Sequence, residues 1–118
     1  MVRLRRLLHL DGIPWARWKV AAEVSAADEI PTDIPKRHAV IVRNDGKSKW
    51  LAFDCPCGGG HRIMLNLDEA RRPRWRVTKI SPLTIYPSVD DATSTRRCHF
   101  FIRGGRVTWA RDEWERET

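Results

Sequence analysis

Residues 39–54, AVIVRNDGKSKWLAFD, decide the fold class. Residues 39–43 are β-branched for the most part, as a strand prefers, and residues 49–54 (KWLAFD) read as its alternating partner. Between them Asn44-Asp45-Gly46 supplies residue types that tolerate the positive φ of a tight hairpin turn. The stretch therefore predicts two antiparallel strands joined by NDGK.

Downstream the same grammar repeats. HRIMLNL, RWRVTKI and LTIY each predict a strand, and CHFFI-RGG-RVTWA predicts a second hairpin with its glycines in the turn. Upstream the pattern changes. Pro14 suits the first turn of a helix, and Trp15, Trp18, Ala22 and Ala26 recur at helical spacing, which predicts a short amphipathic helix. The segment IPTDIP, residues 30–35, reads as a linker that ends it. The expectation is an N-terminal extension with a short helix over residues 1–35, and a β-rich metal-binding domain over residues 36–118. The tail RDEWERET predicts a last turn of helix. The fold class is mainly β, with α+β as the alternative: a small antiparallel sheet around a zinc-type site.

With 118 residues and 31% charged side chains, the chain has no apolar run of bilayer length. VRLRRLLHL is too short and too interrupted by Arg5 and Arg6 for a signal peptide. These features predict a cytoplasmic protein without a membrane partner, whose cysteines serve as thiolates rather than disulfides. The net charge of +7 gathers in arginine clusters: one in the first twenty residues, one from Arg71 to Lys79, and one formed by Arg96, Arg97, Arg103 and Arg106. Such clusters fit a nucleic acid or an acidic protein surface, or simply a solvated face.

Cys55-Pro-Cys57-Gly-Gly-Gly-His61 falls where one strand ends and the next begins. Thiolates suit zinc, and glycines let the backbone curl so that N–H groups face the sulfurs. The C-x-C spacing is tighter than that of most structural zinc sites. Cys98 and His99 are available to complete a four-ligand shell. Neighbouring side chains of a strand point to opposite faces, so if Cys98 faces the metal, His99 faces away. That favours Cys55, Cys57, His61 and Cys98 as the ligands; a bend at residue 98 would exchange His61 for His99. Free cysteines buried as small apolar residues are the alternative. His9 and His38 read as surface or packing histidines.

The order F-x-C-P-C-G-x-G-H, then Pro73 and Trp75, T-I-Y-P-S-V and C-H-F-F-I-R-G-G-R-V resembles a bacterial and phage domain-of-unknown-function family, number six-five-two-seven. The likeness covers roughly residues 50–109. Members of that family often lie in operons with ubiquitin-like proteins, E1- and E2-type enzymes and a metallopeptidase. The resemblance implies a role in a bacterial ubiquitin-like conjugation pathway, as a peptidase that trims or releases the modifier, with those proteins as partners. Many members carry a third cysteine where Gly59 stands, and some place the late cysteine at the position of Arg96.

Three functions follow from these residues. In the first, Ser88 is the nucleophile and His99 its base, because a hydroxyl attacks poorly until a base takes its proton; Asp90, Asp91 or Asp54 would orient the histidine. Ser88 reads equally as a turn residue after Pro87, and His99 as a metal ligand. A catalytic metal is a variant that the thiolate-rich shell disfavours. In the second, a zinc module binds nucleic acid through its arginines and Trp75, Phe100, Phe101 and Trp109. In the third, a non-enzymatic adaptor docks through Trp15 and Trp18.

Overall fold

The computed structural model describes residues 16–93 and 96–110. Among these residues nine strands form three sheets. β1 (Lys19–Val24), β2 (His38–Asn44), β3 (Lys47–Asp54) and β4 (Arg62–Asn66) make a four-stranded sheet in that order. β5 (Arg76–Ile80) pairs with β6 (Leu83–Tyr86), and β7 (Val89–Ala92), β8 (Arg97–Arg103) and β9 (Arg106–Trp109) form a three-stranded sheet. Every pairing is antiparallel except β1 with β2.

The decisive hairpin is β2–β3. Its turn places Asp45 at φ 53° and Gly46 at φ 73°, the pair of positive values that matches the twist of the flanking strands. Gly104 and Gly105, at 59° and 78°, do the same between β8 and β9. Gly105 is also required by space, since a Cβ there would sit 2.6 Å from that of Arg17.

The segment expected to be a helix is instead strand β1, and among the described residues the only helical piece is the 3₁₀ turn Ala27–Glu29. Tertiary pairing overrides the helical spacing: the backbone N–H of Lys19 donates to Arg37 and that of Trp18 to Gly105, both far away in sequence. Trp18 is core rather than a docking anchor, buried edge-on against Phe53 at 5.5 Å. Residues 30–37 carry the crossover from β1 to β2. Ile34 within it is buried with Val40 and Ala52 on one face of the large sheet. Pro14, Trp15, His9, the VRLRRLLHL stretch and the RDEWERET tail lie outside the described residues.

The main core lies on the other face of that sheet. Ile41, Leu51, Phe53, Ile63 and Leu65 meet Leu83 and Ile85 of β6, Val89 of β7, and Phe100 and Ile102 of β8. Phe53 and Phe100 are fully buried and meet edge to face at 6.3 Å. A ring of backbone bonds (Trp18 N–H to Gly105, Gly105 N–H to Leu83, Leu83 N–H to Trp18) ties the three sheets together at one end. No helix among the described residues is long and apolar enough to cross a membrane.

Candidate metal centre and serine–histidine site

β3 ends at Asp54 and the chain curls through residues 55–61 before β4. Gly58 and Gly60 adopt φ near 80°, and the Cys55 N–H donates to the His61 carbonyl, closing the loop. The curl turns Cys55, Cys57 and His61 toward Cys98 on β8. The three sulfurs and one imidazole nitrogen lie within 4.8 Å of one another. Cys55 and Cys98 are buried. This donor set, three thiols and an imidazole, fits a soft or borderline divalent ion.

The electrostatics support the fit. Burial pushes the Cys55 thiol up to about 12 and raises that of Cys98 as well. Burial also acts upward on Cys57, but the N–H of Gly59 and the guanidinium of Arg96, each 3.2 Å from its sulfur, outweigh it and bring the thiol to about 7. A bound cation would supply the charge that keeps the buried sulfurs as thiolates. His61 turns Nδ1 toward the Cys57 sulfur at 3.8 Å. Its other nitrogen, Nε2, is buried and lies 3.2 Å from Asp91 Oδ2, close enough for attraction although not aligned as a hydrogen bond. Asp91 stands directly across the ladder from Cys98. A carboxylate behind the far nitrogen of an imidazole is the arrangement that orients metal-binding histidines.

The opposite face of β8 carries different chemistry. Cys98, Phe100 and Ile102 are buried, whereas Arg97, His99, Phe101 and Arg103 point outward. His99 is thus outside the sulfur cluster, and its Nε2 lies 2.9 Å from Ser88 Oγ. Both residues are half-buried. A hydroxyl at that distance from a ring nitrogen can give up its proton as it attacks a carbonyl carbon. Ser88 follows the cis Tyr86–Pro87 bond, between β6 and β7.

A match to the family model described as bacterial ubiquitination-like system serine protease (BubE) spans residues 26–110. The chain belongs to the BubE family. No curated protein and no solved structure matches it. The matched span holds Ser88, His99 and all four residues of the sulfur cluster. The BubE-family assignment gives the bacterial ubiquitination-like system as its setting and a serine protease as its family description.

The three aspartates offered by the sequence as orienting groups are each engaged elsewhere. Asp54 accepts from Arg62 at 2.7 Å, Asp91 faces His61, and Asp90 accepts twice from Arg97, at 2.8 and 3.0 Å. That double contact holds the Asp90 carboxyl below the usual range. Asp90 is nevertheless the direct cross-strand neighbour of His99.

The sequence reading missed Asn66 and the positioning role of Trp75. Buried Asn66 donates to the carbonyls of Asp68, Arg71 and Pro73 and accepts from the Asp68 N–H, so one side chain folds the loop after β4. That loop delivers Trp75, whose indole N–H donates to the Ser88 carbonyl at 3.0 Å. An asparagine opening a polar loop was the available signal for Asn66. The role of Trp75 had none, because its partner is 13 residues away. Of the aromatics considered for stacking on bases, Phe100 is fully buried and Trp75 packs against the core. A cleft of about 690 Å³, lined by Trp18, Arg37, Asp54, Arg106 and Trp109, lies beside Cys55 and includes neither Ser88 nor His99.

Proposed function

We propose that this chain is a peptidase of the Ser–His type that trims or releases the ubiquitin-like modifier of its system, with that modifier and its E1- and E2-type enzymes as partners. The single observation that carries the reading is the 2.9 Å approach of Ser88 Oγ to His99 Nε2 on the exposed face of β8. Ser88 Oγ attacks the scissile carbonyl while its proton passes to His99 Nε2. The C–N bond then breaks, and the imidazolium protonates the leaving amine. Water, deprotonated by the same nitrogen, releases the acyl group and restores the hydroxyl. Trp75 fixes the Ser88 backbone and Phe101 stacks on His99, with ring centroids 6.1 Å apart.

Cys55, Cys57, His61 and Cys98 would hold a zinc ion, which supplies a structural link between the β3–β4 loop and β8. The three-thiol shell supports a structural rather than a catalytic role, since such shells are closed to substrate.

The test is cleavage of a C-terminally extended modifier by the native protein and by Ser88→Ala and His99→Ala. Each variant should fold, keep its metal and lose activity by roughly a hundredfold to ten-thousandfold. Full cleavage by either folded variant would refute the assignment. If His99→Ala loses metal as completely as Cys98→Ser, His99 is a ligand and the Ser–His pair fails.

A further inference from the structure

Beside the Ser88–His99 pair stands a cation held by two rings. Arg103 follows His99 by four residues on β8, and both point to the outer face. Its Cζ lies 4.0 Å from the centroid of the Tyr86 ring and 5.0 Å from that of Phe101. Tyr86 precedes Ser88 by two residues, and Phe101, two residues after His99, stacks on the His99 ring. The two aromatic supports of Arg103 are therefore the near chain neighbours of the two reacting residues.

The contacts orient the guanidinium without using its N–H groups. Among the described residues Arg103 makes no side-chain hydrogen bond or ion pair. A planar fork restrained by stacking, with no donor spent on another described residue, is suited to a bidentate carboxylate. The charge on this face favours an anion as well. Asp90, the one carboxylate that the ladder sets beside His99, is already bound by Arg97, and among the described residues no carboxylate pairs with Arg103.

We infer that Arg103, framed by Tyr86 and Phe101, is a substrate subsite that receives a carboxylate, so that the bond cleaved lies near an acidic residue. The subsite rests on the Ser88–His99 reading and names its substrate class. An extended peptide rises about 3.3 Å per residue, and the guanidinium sits two ring contacts from His99, so the acidic side chain falls roughly two to three residues from the scissile bond.

The experiment uses two fluorophosphonates of equal length that phosphonylate nucleophilic serines with loss of fluoride, one ending in a carboxylate and the other in the matching primary amide. Mass spectrometry identifies the labelled residue, and the labelling rate is followed on the full chain. The native protein should be labelled at Ser88 by both, roughly tenfold faster by the carboxylate probe, as expected of a charge-assisted hydrogen bond. Arg103→Met should erase that preference, so that the two probes label Ser88 at equal rates. Arg103→Lys should keep part of it, and Lys79→Met, which removes the same charge from another strand, should keep all of it. No preference in the native protein, or one that survives Arg103→Met, would overturn the subsite while the Ser–His pair stands. Failure of both probes to label Ser88 would instead bring down the pair, and the subsite with it. A preference lost equally in Lys79→Met would reduce the effect to net charge and refute the subsite.

Discussion

The two faces of β8 carry consecutive residues to opposite ends. Cys98, Phe100 and Ile102 are 3% exposed or less and belong to the core, whereas His99 and Phe101 are half-buried and Arg97 and Arg103 are exposed. One strand thus contributes a thiol and core packing inward and an imidazole outward, separated by one peptide unit. The contrast teaches that stability and chemistry can be perturbed independently here, because alternation keeps the two sets of side chains from touching.

The sharpest way to break the contrast is from the inside. Cys98→Ser should release metal and lower the melting temperature by roughly 10 °C or more, since metal-binding free energy in small domains is also folding free energy. Metal content and thermal melting on the same sample check it. Because the thiols of Cys55 and Cys98 are raised, binding must expel their protons. Metal retention should therefore fall as pH is lowered, which a chelator competition across pH would show. Phe100→Ala comes next: a fully buried ring removed against Phe53 and Trp109 should cost about 3–5 kcal/mol, measured by denaturant unfolding.

Smaller effects sharpen the boundary. Asp91→Asn leaves the ligand set whole but removes the charge behind His61, and should weaken metal affinity by about tenfold to a hundredfold with an unchanged fold. The smallest belongs to the outer face. Asp90 bonds to Arg97 in the open, so Asp90→Asn should cost under about 1 kcal/mol. The Asp90 pKa is depressed in the folded state, so its contribution is present above the ordinary carboxylate range and is lost as pH falls through the lower folded value. The difference between native and variant unfolding should accordingly vanish in acid.

Much of this was legible in the sequence, for physical reasons. The β2–β3 and β8–β9 hairpins are local, and their turn residues state the backbone angles needed. The strand period at residues 98 and 99 separates the inward cysteine from the outward histidine. β1 was hidden because a bulge between Val20 and Ala22 breaks its period. Val20 packs on the main core and Val24 on the opposite cluster, so neither face shows a regular stripe. Its partner is a parallel strand, which no local turn announces. β7, with the sequence VDDA, was missed because acidic residues are poor strand formers. Its aspartates are accommodated by Arg97 and His61, partners that only the folded ladder supplies. The clamp on Ser88 by Trp75 was invisible for the same reason.

The sulfur cluster joins a loop at residues 55–61 to a strand that begins at Arg97. On a ribosome adding about 5–20 residues each second, Cys55 and Cys57 are made several seconds before Cys98. During that interval the early pair has no third sulfur, and the sheet that will shelter it lacks the strand bearing Phe100 and Ile102. The nascent chain must therefore keep two neighbouring thiols out of oxidation and out of scavenging complexes with other chains. β8 ends that state by bringing the third sulfur and two large core side chains, Phe100 and Ile102, on one strand.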